Sequence, residues 1–178
     1  MKPISKYIYC ALALLLFASC ASQPVPEPSP KLAPAPTVEG VWKLEEVEVI
    51  GGPNAGVHAP QAGLVIFTKQ YYSSMRIERS TPRAMWKKDP PTQAEILDAF
   101  NGFGADSGTY ELNGTTMVFR PTICETPNLM AGGSVTFDCQ LQADSLILTV
   151  KPSGMVIPNF EQAQSQVTET RYKMRRLE

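Results

Sequence analysis

From residue 39 onward, apolar and polar positions alternate with a period of two in short runs broken by turn residues, which predicts strands with one buried face. Trp42 and Leu44 alternate, then Val47 and Val49 alternate out of phase. A strand over residues 40–50 therefore needs a bulge near Glu45-Glu46. Gly51-Gly52-Pro53-Asn54 ends it as a loop. Residues 63–68 and 71–79 form two strands around Lys69-Gln70, and a two-residue turn there pairs Leu64 with Met75 and Ile66 with Ser73. Residues 107–112 and 115–124 flank Asn113-Gly114, the strongest short hairpin signal in the chain. That turn sets Leu112 against Thr115, Tyr110 against Met117 and Gly108 against Phe119, with Tyr110, Met117 and Phe119 on one face. Residues 135–141 and 145–150 surround Ala143-Asp144, so Leu141 meets Leu146, Cys139 meets Leu148 and Phe137 meets Val150. A last strand covers residues 167–176.

One helix interrupts the strands. In "PPTQAEILDAFNGFG", Thr92 is the N-cap and Glu95 completes a capping box, with Ile96, Leu97 and Phe100 as the apolar face and Gly102 as the stop. Eight strands joined mostly by short turns predict an all-β fold: a closed, antiparallel up-and-down barrel, which leaves no free edge, with one short helix between strands. An open sandwich is the alternative.

The first residues follow another pattern. Lys2 and Lys6 precede an apolar run over residues 7–18, too short for the roughly 20 residues a spanning helix needs. A basic start, a short apolar core and small residues predict a secretory signal peptide over residues 1–19. Phe17-Ala18-Ser19-Cys20 resembles a bacterial lipobox, in which the cysteine thiol is acylated and the chain cut before it. The alternative is ordinary secretion with cleavage near Ser19 or Ala21. Acylation at Cys20 would place the protein in the cell envelope, anchored in a membrane. The residue after the cysteine is Ala21, not aspartate, so the outer membrane facing the periplasm is the expected location. Residues 20–38 hold six of the chain's 16 prolines in near alternation. They predict an extended tether of about 3.1 Å per residue ahead of a domain over residues 39–178.

Composition sharpens this picture. Hydrophobic residues make up 43% and charged residues 19%, the balance of a globular domain. Without residues 1–19, 14 basic and 17 acidic side chains remain, a net charge of −3, which gives no field for nucleic acid. Cys124 and Cys139 remain after Cys10 leaves with the signal and Cys20 is acylated. An even pair in an oxidising compartment, equidistant from Ala131-Gly132, predicts a disulfide across a hairpin. A bulge at Pro121 is then needed to turn Cys124 to the face of Phe119. The single histidine, His58, sits in a Gly/Pro-rich loop. No ligand cluster for a metal, nucleophile motif or phosphate-cradling loop stands out, and no cofactor is implied. Glu45-Glu46 is explained by a charged rim, and Lys87-Lys88-Asp89 by an exposed turn.

Gly40-Val41-Trp42-Lys43-Leu44 resembles the G-x-W opening of the lipocalin superfamily. With "GLVIFTKQYYSSMRIER", the Pro91-Thr92-x-x-Glu95 helix start and "SGTYELNG", the chain resembles the bacterial lipocalin-like domain family from about Glu39 to Arg176. The resemblance implies that Trp42 closes the barrel bottom beneath an arginine of the last strand. Arg176 is the candidate, with Arg175 and Arg171 as alternatives. Three functions follow. One is binding of a small hydrophobic ligand lined by Tyr71, Met75, Tyr110, Met117 and Phe119, residues that would equally serve to fill the core. Another is a structural or partner-binding envelope protein with a filled barrel. The third, disfavoured by the missing acid–base pair, is an isomerase- or cyclase-type enzyme.

Overall fold

The computed structural model of the chain describes residues 36–79, 81–160 and 166–178. The signal peptide, Cys20 and the tether as far as residue 35 lie outside the described residues. The strands are β1 (Gly40–Gly51), β2 (Gly56–His58), β3 (Ala62–Phe67), β4 (Tyr71–Ile77), β5 (Phe103–Asn113), β6 (Thr116–Cys124), β7 (Ser134–Gln142), β8 (Ser145–Val156) and β9 (Val167–Arg176). Helix α1 (Gln93–Asn101) joins β4 to β5, and α2 (Pro127–Met130) joins β6 to β7. Every pairing is antiparallel between neighbours, and β9 returns to pair with β1. This makes a closed eight-stranded barrel. The short β2 pairs with Val47–Val49 of β1, on the edge that β3 uses farther back along β1.

β1 crosses the seam with the expected bulge. Leu44 pairs with Met174 and Glu46 with Lys173, leaving Glu45 as the extra residue. The bulge lets Trp42 and Leu44 point inward while Glu45, Glu46 and Glu48 meet Arg175, Lys173 and Arg171 of β9. Surface pairs add little stability singly, but opposite charges at successive positions specify the register of the closing strand.

Two hairpins have the register expected from their turns. Leu64 stands opposite Met75 and Ile66 opposite Ser73. Leu141, Cys139 and Phe137 stand opposite Leu146, Leu148 and Val150. The β5–β6 hairpin differs by two residues. Asn113 pairs with Thr116, Leu112 with Met117 and Tyr110 with Phe119, so Gly114-Thr115 makes the turn. An Asn-Gly turn of type I′ needs positive φ at both central residues. Here Gly114 is at φ +62° and Asn113 is not in the left-handed region. A slip of two preserves parity, so Tyr110, Met117 and Phe119 still face the core together.

Helix α1 forms as its ends dictate. Thr92 accepts from the Glu95 backbone N–H at 3.3 Å, and the Glu95 carboxylate accepts from the Thr92 N–H at 2.8 Å. Its apolar residues Ile96, Leu97 and Phe100 are nevertheless exposed. The helix rests on its capping box and on Arg79, which reaches Asp98 at 3.1 Å, rather than on burial of a face.

Candidate functional site

The barrel has a filled end and a hollow end. At the filled end the chain enters beneath Trp42, whose indole Nε1 donates to the Val38 carbonyl at 2.8 Å. The Arg176 guanidinium carbon lies 4.2 Å from the centre of the Trp42 ring. The same guanidinium donates to the carbonyls of Glu39 at 2.7 Å and Ala143 at 3.3 Å, and to that of Thr37. The structure thus brings Trp42 and Arg176 together, while Arg175 and Arg171 face outward to Glu45 and Glu48. Above Trp42, the side chains of Phe67, Tyr110, Met117 and Leu146 are buried. Tyr110 is fixed further by donation to the Thr68 carbonyl at 2.7 Å.

The other half is hollow. A cavity of about 290 Å³ opens where β4 ends and β5 begins. Its depth is apolar, with Leu44, Phe119, Phe137, Leu148, Val150 and Met174. Its collar carries Ser74, Arg76, Asp106, Cys124, Glu125 and Thr126. A second depression, bordered by Thr37, Lys69, Tyr110 and Glu111, is more open to solvent. Among the described residues, no group of three or more His, Cys, Asp or Glu side chains is placed to hold a metal.

The collar is built by strand alternation and one glycine. On β4 the inward residues are Tyr72, Ser74 and Arg76. Gly104 pairs directly with Arg76, and a Cβ there would lie 2.9 Å from the guanidinium carbon. The missing side chain lets Arg76 lie along β5. Its Nη1 donates to Asp106 at 3.1 Å and to Ser74 at 3.3 Å, and its Nε donates to Glu78 at 2.7 Å. The guanidinium carbon is 6.0 Å from the centre of the Tyr172 ring. Burial alone would lower the Arg76 pKa, but the phenol of Tyr172 and the carboxylates of Glu78 and Asp106 outweigh it, so Arg76 stays charged.

Other groups here shift toward their neutral forms. Glu125 accepts from the Ala105 N–H at 3.1 Å, yet burial raises its pKa, aided by Glu78 and Asp106. Burial, with Asp106, raises the pKa of Tyr72. The Tyr72 hydroxyl is buried without a partner at hydrogen-bonding geometry, although Asp106 is close enough to act on it electrostatically. Tyr72 also stacks on Phe119 with ring centres 3.9 Å apart, linking the collar to the apolar depth.

Of the five residues expected to line a pocket, Phe119 and Met75 do so. Tyr110 and Met117 point inward but belong to the filled half. Tyr71 and Met75 lie on the outer parity of β4, 60% and 47% exposed, and of the two Met75 alone reaches the cavity. The pocket-facing residues of β4 are the more polar alternate set, and apolarity selected the wrong face.

The expected disulfide is also corrected. The β6–β7 register pairs Thr116 with Asp138 and Phe119 with Val135. Cys139 therefore sits across from Thr115, whose carbonyl accepts its N–H at 2.7 Å. Cys124 lies at the far end of β6, about 30 Å away at roughly 3.3 Å per residue. A disulfide needs Cα atoms within about 7 Å. Both thiols are free, Cys139 buried and Cys124 partly buried. The link between β6 and β7 includes α2, so the strands are not centred on Ala131-Gly132. The bulge beside Pro121 is present: Ser107 pairs with Ile123 and Gly108 with Pro121, leaving Thr122 extra. It turns Cys124 toward the cavity rather than toward a partner cysteine.

A closed antiparallel barrel with a plugged base under a Trp–Arg contact and a cavity at its mouth is a lipocalin-type calyx. The family model for the lipocalin-like domain matches residues 39–172, and the chain belongs to that family. No curated protein matches it. Solved structures similar to it include a lipocalin-like protein from Bacteroides uniformis and an uncharacterized protein from Bacteroides eggerthii. Each is 14% identical over 78% of this chain, with a TM-score of 0.40, covering 97% and 98% of those chains respectively.

Proposed function

We propose that this protein is a lipid-anchored envelope protein whose barrel binds a small, largely hydrophobic ligand. The observation that carries the binding reading is the cavity of about 290 Å³, apolar in depth and polar at its collar. Its size is near the lower end of ligand pockets, which run from about 300 to 1,000 Å³. The filled-barrel reading suits only the half around Trp42, Met117 and Leu146. Among the described residues lining the cavity there is no histidine, and burial holds the Cys124 thiol toward its neutral form, so binding is favoured over isomerase- or cyclase-type catalysis.

The anchor reading rests on the sequence at Cys20. The described chain enters the barrel at the filled end, beside Trp42 and Arg176. Native mass spectrometry of the full chain taken from its own membrane tests both proposals. The expected result is an acylated protein carrying one additional small mass, lost when Leu148 is replaced by Trp. An unacylated protein would refute the anchor, and a chain that neither carries a small mass nor takes up an apolar probe would refute the pocket.

A further inference from the structure

The collar discriminates among ligand heads. Among the described residues Arg76 is the only cation lining the cavity, and its charge is already engaged from two sides by Asp106 and Glu78. Asp106 and Glu125 both line the cavity; Glu125 feels the charge of Arg76 but forms no ion pair among the described residues. A ligand carboxylate approaching Arg76 would come within the field of Asp106 and Glu125 and would have to compete for donors already in use. A cation meets the reverse situation, with carboxylate oxygens on two strands' ends and no unneutralised positive charge.

No described residue of the cavity wall offsets these carboxylates beyond Arg76. The thiol of Cys124 and the phenol of Tyr172, which also face this space, are shifted toward their neutral forms chiefly by burial. They add no positive charge.

Building on the ligand-binding reading above, we infer that the ligand carries a positively charged, hydrogen-bond-donating head, an amine on an apolar body, seated against Glu125 and Asp106. Its apolar part lies against Leu44, Phe119, Phe137 and Leu148, in the depth of the cavity.

Decylamine, decanol and decanoate share one chain and differ in the head. Each is competed against a neutral solvatochromic dye bound to the full-length chain. Decylamine should bind about tenfold more tightly than decanoate, the effect of one charge-assisted hydrogen bond, with decanol between them. Glu125→Gln should reduce the preference of decylamine over decanoate at least threefold. Asp106→Asn is the second variant should the first misfold. Decanoate binding as tightly as decylamine, or a preference unmoved in the folded variants, would overturn the amine assignment alone. Failure of the dye and all three probes to bind would overturn the pocket itself.

Discussion

Gly104 stands directly opposite Arg76 in the β4–β5 ladder, with no room for a side chain between the guanidinium and the strand. The glycine is therefore part of the collar's design, although it contributes no functional group. Gly104→Val should force Arg76 off Asp106 and lower stability by about 1–3 kcal/mol, the usual cost of overpacking. Thermal melts and a crystal structure of the variant would check this. An unshifted Arg76–Asp106 pair would show that the space is not limiting.

At the opposite end, the contact between Arg176 and Trp42 is expected to hold the barrel shut. Trp42→Ala should cost about 3–5 kcal/mol, as large-to-small changes at buried aromatics do. For a domain of this size that is on the order of 10–20 °C in melting temperature. Arg176→Lys should cost less, because the cation remains while the planar fork that reaches several backbone carbonyls is lost. Equal melting temperatures for wild type and Trp42→Ala would remove the plug role.

Much of this barrel is legible in the sequence, because alternation and turn residues leave few ways to arrange eight neighbouring strands. The bulge at Glu45 is visible where Trp42/Leu44 and Val47/Val49 fall out of phase. The β7–β8 register follows from the turn at Ala143-Asp144. The pocket is less legible for a physical reason. A site that must hold a polar head breaks the rule that the interior is apolar. Tyr72, Ser74 and Arg76 look like the outer face of β4, and Tyr71 and Met75 like the inner one. The pairing of Lys69-Gln70 could have indicated otherwise. It sets Val65 against Ser74 and Phe67 against Tyr72, and Phe67 on that face matches the aromatic face of β5 and β6. The apolar face of α1 misled in the opposite sense. Ile96, Leu97 and Phe100 have helical spacing yet stay exposed among the described residues.

The two cysteines make a direct prediction because their strands hold them far apart. A thiol titration of the denatured domain should count Cys124 and Cys139 as free, and reductant should leave the melting temperature unchanged. A disulfide closing this loop would contribute roughly 3 kcal/mol, so its reduction would be easily seen. In the native protein both thiols should alkylate slowly, since burial raises both pKa values.

The proposed anchor is separable from the fold. Cys20 lies ahead of the lipocalin-like domain, which the family model matches over residues 39–172. Cys20→Ser should therefore move the protein from the membrane fraction to the soluble fraction with its melting temperature within about 1 °C of wild type, as expected for a change outside the core. Retention of the variant on membranes would require another means of attachment.

Glu125 gives a pH dependence of defined sign. Burial, with Glu78 and Asp106, raises its folded-state pKa above the unfolded value. The folded state therefore holds a proton that the unfolded state has released, and stability falls as pH rises between the two values. The contribution is fully present below the unfolded pKa, about 4.3 for a glutamate, and is lost as pH rises through the folded pKa. Glu125→Gln mimics the protonated carboxyl, so it should remove this loss. Relative to wild type, the variant should gain stability as pH rises from 4 to 7, measured as the difference between the two melting curves at each pH. Because Glu125 is only partly buried, solvent screening keeps the gain small. A variant whose melting temperature falls further below wild type at pH 7 than at pH 4 would mean that the ionised carboxylate is held by a favourable partner. The collar would then be less negative than its geometry implies, weakening the basis for an amine ligand.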